Sequence, residues 1–197
     1  MERNIVTIKP MLNYSQDVRL EAASVFADAY YRDLSFLSKD RNKLKEAFKK
    51  AFCHEVFYLA EIQGEIVGML ACANRKQRGM VIDKASFKKS LGFIKGSLAY
   101  WWLKREFNAP LSYSDDTAYI ECVATKEKAR GKGVSTALFQ YVMQELPYRR
   151  YVLEVIDSNQ NAYRLYKKLG FNDFKRKREK YSKIKGFKER IYMEWQK

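Results

Sequence analysis

A strand-like run, Ala118–Thr125, leads into Arg130-Gly-Lys-Gly-Val-Ser135 and then into a helical pattern with Val134, Ala137, Leu138, Tyr141 and Val142 on one face. No other stretch constrains the fold as much. A strand that ends in a tight turn and a crossover helix is followed by a strand running parallel to it. That next strand is Arg150–Ile156, and Pro147 helps stop the helix before it. Gly131 and Gly133 let the backbone turn sharply and let a ligand approach without a Cβ in its way. The helix they open leaves its first N–H groups unpaired and carries a partial positive charge at that end. Such a place binds phosphate or pyrophosphate. Gly131-Lys-Gly-Val-Ser135 lacks the spacing of a Walker A loop, and Thr136 stands where a dinucleotide fingerprint wants glycine or alanine. Taken alone, the turn is equally compatible with no ligand at all.

The rest of the chain predicts a mixed α/β sheet. Arg3–Lys9 alternates apolar and polar residues as a strand does. Ser15 is placed to cap a helix with Val18, Ala22, Val25, Phe26 and Ala29 on one face, and Asp40 to cap a second one with Leu44, Ala47 and Phe48. Glu55–Ile62 and Glu65–Ala73 are apolar strands joined at Gln63-Gly64, a hairpin signal. Phe171–Arg178 and Lys188–Trp195 read as two more strands, joined around Lys185-Gly186. Between the third and fourth strands lies Lys84–Phe107, helical in pattern and rich in lysine and aromatics. An insertion of that length is either a binding element or a helix packed over the core. With no repeat and no low-complexity linker, residues 1–197 read as one domain.

Composition narrows the chemistry. The 197 residues carry a formal net charge of +15, which favours anionic partners without naming one. Cys53, Cys72 and Cys122 are widely spaced and form no Cys-x-x-Cys pair, so reduced thiols in a cytoplasmic protein are expected, and no metal. Nothing near Cys122 in sequence would activate it. His54 is the only histidine, which makes a His-based triad or a multi-His metal site hard to build. The N-terminus has no apolar signal segment. Ser90–Phe107 is the best membrane candidate, but Lys95 and Lys104 interrupt it and it is too short to span, so no transmembrane segment is expected. It is suited to lie on a surface or over the protein's own site.

Twenty-four residues past Ser135 comes Asn159-Gln-Asn-Ala-Tyr-Arg-Leu-Tyr-Lys-Lys-Leu-Gly-Phe171. Here the sequence resembles the GNAT superfamily of acetyl-CoA-dependent N-acetyltransferases. Arg130-Gly-Lys-Gly-Val-Ser135 follows that family's phosphate-loop form, with Ser135 in place of glycine or alanine. Asn159, Ala162, Leu165, Tyr166, Lys168, Gly170 and Phe171 match its following element in register. The resemblance implies a mixed, mostly antiparallel sheet whose fourth and fifth strands splay apart, with flanking helices; the helical insertion near 84–107 has no counterpart in the minimal fold.

It also implies roles. Main-chain N–H groups from Arg130, Gly131, Lys132, Gly133, Val134 and Ser135 would cradle the pyrophosphate of acetyl-CoA, the cosubstrate. Val123 and Thr125 would pair with its pantetheine arm as an added strand does. Asn159 and Ala162 would complete the cofactor side, though asparagine is also an ordinary helix cap. Tyr166 would be the general acid that protonates the departing thiolate, the alternative being a core aromatic. Glu121, on the face that strand alternation shares with Val123 and Thr125, is the candidate base; otherwise it is an ion-pair partner. Backbone N–H groups near Val123 would stabilise the oxyanion. No metal is needed.

The expected acceptor is a primary amine, on a small molecule or a protein, and the protein a monomer or homodimer. Two other readings stand beside this one: a non-catalytic acyl-CoA-binding module, and a basic nucleic-acid- or ribosome-associated protein of the same fold. Lys175–Arg190 holds nine basic and two acidic residues. Charges on both faces of Phe174–Arg178 suit an exposed edge strand, which needs no nucleic acid to explain it.

Overall fold

In the computed structural model, residues 5–180 and 182–197 are described. Seven strands form one sheet in the order β1-β2-β3-β4-β5-β7-β6. They are β1 (Val6–Pro10), β2 (Phe57–Ile62), β3 (Glu65–Ala73), β4 (Thr117–Thr125), β5 (Arg150–Ile156), β6 (Asn172–Arg178) and β7 (Glu189–Gln196). Every neighbouring pair is antiparallel except β4 and β5, the pair joined by a crossover helix. The β2–β3 hairpin turns where expected, with Gln63 at φ 51° and Gly64 at φ 79°, the two positive values that match the twist of its strands. The basic strand β6 lies at the edge of the sheet and is largely exposed, as its two-faced charge predicted.

Two apolar layers cover the sheet. On one face, α1 (Arg19–Ala29), α3 (Arg41–Phe48), α4 (Lys84–Leu91) and α5 (Phe93–Asn108) pack Phe26, Leu44, Phe48, Phe87 and Ala99 against Leu59, Met69 and Ala71. On the other, α6 (Val134–Glu145) and α7 (Gln160–Lys168) pack Leu138, Phe139, Val142 and Tyr166 against Cys72, Ile120, Leu153 and Met193. A four-residue α2 (Tyr31–Leu34) follows α1, and a short α8 (Ser182–Lys185) sits in the β6–β7 connection.

Two local expectations change. Ser15 does not cap the first helix. It starts at Arg19 with Val18 at the cap position and no side-chain cap, while the Asp17 carboxylate accepts from the Arg19 N–H at 3.1 Å and binds its guanidinium at 2.7 Å. Asp40 does cap α3, accepting from the N–H groups of Asn42 and Lys43. The 84–107 insertion is not one helix but two, broken at Gly92, with α5 packed back across α4. That crossing is close, because a Cβ on Gly96 would stand 2.3 Å from the Phe87 carbonyl oxygen. Arg3 and Asn4, the first two residues of the expected Arg3–Lys9 strand, lie outside the described residues.

Candidate active site

β4 and β5 begin as a regular parallel pair and then part. Pairing runs from Thr117 with Arg150 to Ile120 with Leu153 and stops there. Beyond that point β4 continues through Thr125, still held by β3, and β5 continues through Ile156, held by β7. The C-terminal halves of the two strands therefore turn unpaired edges toward each other, a gap able to accept an extended chain.

A bulge shapes the β4 side of this gap. Opposite β3 the register shifts between Met69 and Ala71, which pair with Ala124 and Glu121. Cys122 takes φ 57°, a left-handed conformation that residues other than glycine rarely adopt. The extra residue breaks the alternation. Glu121, opposite Ala71, and Cys122 lie on the α1 side, whereas Val123 packs into the α6 side with Ile120. Simple alternation had put Glu121 on one face with Val123 and Thr125. The bulge separates them, and no sequence signal at Cys122 announces it. The Val123 carbonyl accepts from the Tyr30 hydroxyl at 3.1 Å, a contact between α1 and β4.

The glycine turn follows directly. Gly131 and Gly133 have φ 76° and 80°, and Gly133 stands at the N-terminal cap of α6. Open space lies above both, where a Cβ would touch nothing within 4 Å. Arg130 and Lys132 use their N–H groups inside the turn, donating to the Glu127 and Ala129 carbonyls. The N–H groups of Gly131, Gly133, Val134 and Ser135 find no acceptor among the described residues, so four of the six expected donors face outward. The Ser135 hydroxyl lies 3.1 Å from that of Thr125, which ties the end of β4 to the start of α6. Val134 is buried where β3 has no side chain: a Cβ on Gly68 would lie 2.4 Å from Val134 Cγ1. An open depression of about 490 Å³ adjoins the segment leading into the turn, lined by Asp28, Arg41, Lys45, Glu65, Lys126 and Lys128.

Asn159 caps α7, its side-chain oxygen accepting from the Ala162 N–H at 3.2 Å. Two turns on from the cap, Tyr166 is buried between Phe139 and Phe171, with ring centroids 5.4 and 6.3 Å away. Burial pushes its phenol well above the usual value, so it holds its proton across neutral pH. The same cause, burial, raises Tyr30. Burial also raises the Cys122 thiol, which disfavours the thiolate a nucleophile needs.

Glu121 is tightly held. Its Oε1 accepts from the Gly79 N–H at 2.7 Å and from Arg78 Nε at 3.2 Å, while Oε2 meets Arg78 Nη2 at 2.7 Å. Arg78 also donates to the Glu106 and Ala109 carbonyls at the end of α5. A second arginine repeats the pattern: Arg190 binds Glu154 on β5, Glu179 and Glu106. The C-terminus of α5 is thus tied by two arginines to carboxylates on the two parting strands. Arg78, Arg190 and Tyr30 were not singled out from sequence. Isolated arginines in a chain this basic carry no local signal, and only the sheet brings them together.

Comparison with known proteins identifies the family and the fold. A sequence profile of the acetyltransferase (GNAT) family matches residues 24–171. No curated protein matches the sequence. Among solved structures, the ribosomal-protein-S18-alanine N-acetyltransferase from Escherichia coli superposes with a TM-score of 0.57 at 16% identity, covering 98% of this chain and 94% of that one. An N-acetyltransferase from Staphylococcus aureus Mu50 gives 0.59 at 18% identity, covering 96% and 100%. Ard1 from Thermoplasma volcanium gives 0.57 at 20% identity, covering 97% of each. At such identities these likenesses speak for the fold alone.

Proposed function

The chain belongs to the acetyltransferase (GNAT) family, and from that premise we propose that it transfers the acetyl group of acetyl-CoA to a primary amine by direct attack in a ternary complex. One observation supports this reading above all. The gap between β4 and β5 and the outward-facing N–H groups of the glycine turn lie at the same end of the same strand, with Thr125 and Ser135 in contact between them.

Acetyl-CoA supplies an activated acyl carbon and a thiolate leaving group. The N–H groups of Gly131, Gly133, Val134 and Ser135 hold its diphosphate, helped by the positive end of α6 and by the side chains of Arg130 and Lys132. Val123 and Thr125 offer the unpaired backbone edge for its arm. Asn159 and Ala162, at the start of α7, flank that arm from the β5 side. Tyr166 gives a proton to the departing sulfur. Its raised affinity for that proton makes full transfer uphill, so part of its work is hydrogen-bond stabilisation of the thiolate. Glu121 receives the amine proton, directly or through a water. Its Oε1 already accepts from Gly79 and Arg78, while Oε2 accepts from Arg78 alone, so the second lone pair of Oε2 is the one placed to take the proton.

The test is thiol release from acetyl-CoA by the purified protein against a panel of amines, amino acids and peptides, with mass spectrometry of the acceptors. Release that depends on both substrates and a 42-Da gain on one acceptor, the mass of an acetyl group replacing a proton (~42 Da), are expected. Acetyl-CoA binding without turnover on any amine would point to the binding module instead. RNA binding without acetyl-CoA binding would point to the nucleic-acid reading.

A further inference from the structure

The α4–α5 pair carries a surface that acetyl transfer does not explain. α5 is apolar on two opposite sides. Gly96 and Ala99 are buried toward the core, with Tyr100, Leu103 and Phe107 packed beside them. On the far side Phe93, Ile94, Leu98, Trp101 and Trp102 are 62–75% exposed. Their spacing of i, i+1, i+5, i+8 and i+9 places them on one stripe of the helix. Phe36, itself exposed, extends the stripe by packing edge-on against Trp102 at 4.7 Å. Scattered apolar residues on a surface mean little, but a contiguous patch marks a binding face.

The patch is framed by cations. Residues 84–108 contain Lys84, Lys88, Lys89, Lys95, Lys104 and Arg105 against the single acid Glu106, which is turned to Arg190. None of the six is ion-paired with a described residue. Three of the lysines lie over patch rings: Lys88 over Phe93 at 4.0 Å, Lys104 over Trp101 at 5.3 Å and Lys84 over Trp101 at 5.5 Å. The aromatic bodies and the flexible ammonium groups therefore share one surface, the arrangement that lets lysine stems lie along apolar matter while their heads reach phosphate. No helix among the described residues is long and apolar enough to cross a membrane.

We propose that this face of α4 and α5 docks on an anionic lipid bilayer, with Phe93, Ile94, Leu98, Trp101 and Trp102 entering the interfacial layer and the surrounding lysines meeting lipid phosphates. The stripe lies along the exposed side of a single helix, with lysines on and around it, so apolar and cationic groups are presented together. Charge argues against a second copy of the chain, which would bring six like charges against six. Tryptophan is the side chain best suited to a bilayer interface, since its ring is apolar and its N–H is not. The assignment does not depend on the acetyl-transfer reading.

Vesicle flotation of the full-length protein tests it, using phosphatidylcholine vesicles with and without an equal part of phosphatidylglycerol. Binding to the anionic vesicles is expected to be at least roughly tenfold tighter, to weaken in high salt, and to shift tryptophan emission to the blue. The variant Trp101→Ala/Trp102→Ala should lose most of the binding. Lys89→Glu/Lys95→Glu, at exposed positions outside the candidate site, should lose the preference for anionic lipid. Circular dichroism and melting curves confirm that each variant remains folded. The proposal is overturned if the protein ignores both vesicle types or if neither double substitution changes binding. It is also overturned if light scattering shows a dimer whose formation alone accounts for the tryptophan shift, or if only an acidic protein, and no vesicle, occupies the face.

Discussion

At Gly133 two physical demands meet: a backbone at φ 80° and a clear approach to the N–H groups behind it. Gly133→Ala meets the second demand but strains the first, at a cost of about 1–2 kcal/mol. Gly133→Glu adds a carboxylate facing the diphosphate. Calorimetry should therefore show a modest loss of CoA affinity for alanine and no measurable binding for glutamate; equal affinities would remove the loop from the site. Tyr166 makes a different prediction, because its ring is packed and only its hydroxyl is chemical. Tyr166→Phe keeps the contacts with Phe139 and Phe171, so acetyl-CoA binding should be unchanged while turnover falls roughly a hundredfold or more. Unaltered turnover would assign the proton to another group. Gly133 was legible as a turn glycine from its place between a strand and a helix, whereas Asn159 and Tyr166 came forward as candidates only through the family motif they match in register. Glu121 was legible as a carboxylate but not in its setting, since Arg78 is 43 positions away and reaches it only through the fold.

The elements around the site are fixed by contacts that local pattern does not encode. Gly68 on β3 makes room for Val134 at the start of α6. Gly68→Ala would push that helix start outward, costing about 1–3 kcal/mol of stability. It should weaken CoA binding without touching the ligand, measured by denaturation and calorimetry together; a stable variant with normal affinity would show that the turn tolerates displacement. Arg78 plays the corresponding part for α5. Its pair with Glu121 is nearly buried, with side-chain exposures of 13% and 11%, so removing one partner leaves an uncompensated charge. Arg78→Ala should cost about 3 kcal/mol and speed amide hydrogen exchange at the C-terminal end of α5 well before the sheet opens. Exchange unchanged over residues 104–109 would mean that packing alone holds the helix. The 84–107 stretch read as helical from its pattern. The break at Gly92 did not, because the turn becomes favourable only when α5 folds back onto α4.

Across the whole molecule, burial sets the response to pH. Tyr58, Tyr119, Tyr151 and Tyr166, with Cys72 and Cys122, all have their proton affinity raised first by burial. The sign follows from linkage. The folded chain keeps protons that the unfolded chain releases near 9.0 for thiols and 10.0 for phenols. Stability is therefore full below those values and is lost as pH rises through them. Melting temperatures should stay level from neutral pH to roughly pH 8.5 and fall steadily above about pH 9, as fluorescence melts across that range would show. A level curve up to pH 11 would mean that these groups ionise without unfolding the core.

The order of strands and helices, the parallel step from β4 to β5, the hairpin at Gln63-Gly64, the exposed basic edge and the glycine turn were all written in local sequence, because each depends on periodicity or on residues a few positions apart. Where the parallel pair opens, which way Glu121 faces past the bulge at Cys122, and how two arginines moor α5 beside the gap depended on tertiary structure. Those features join residues tens of positions apart, and their energies exist only once the sheet has brought the partners within a few ångströms.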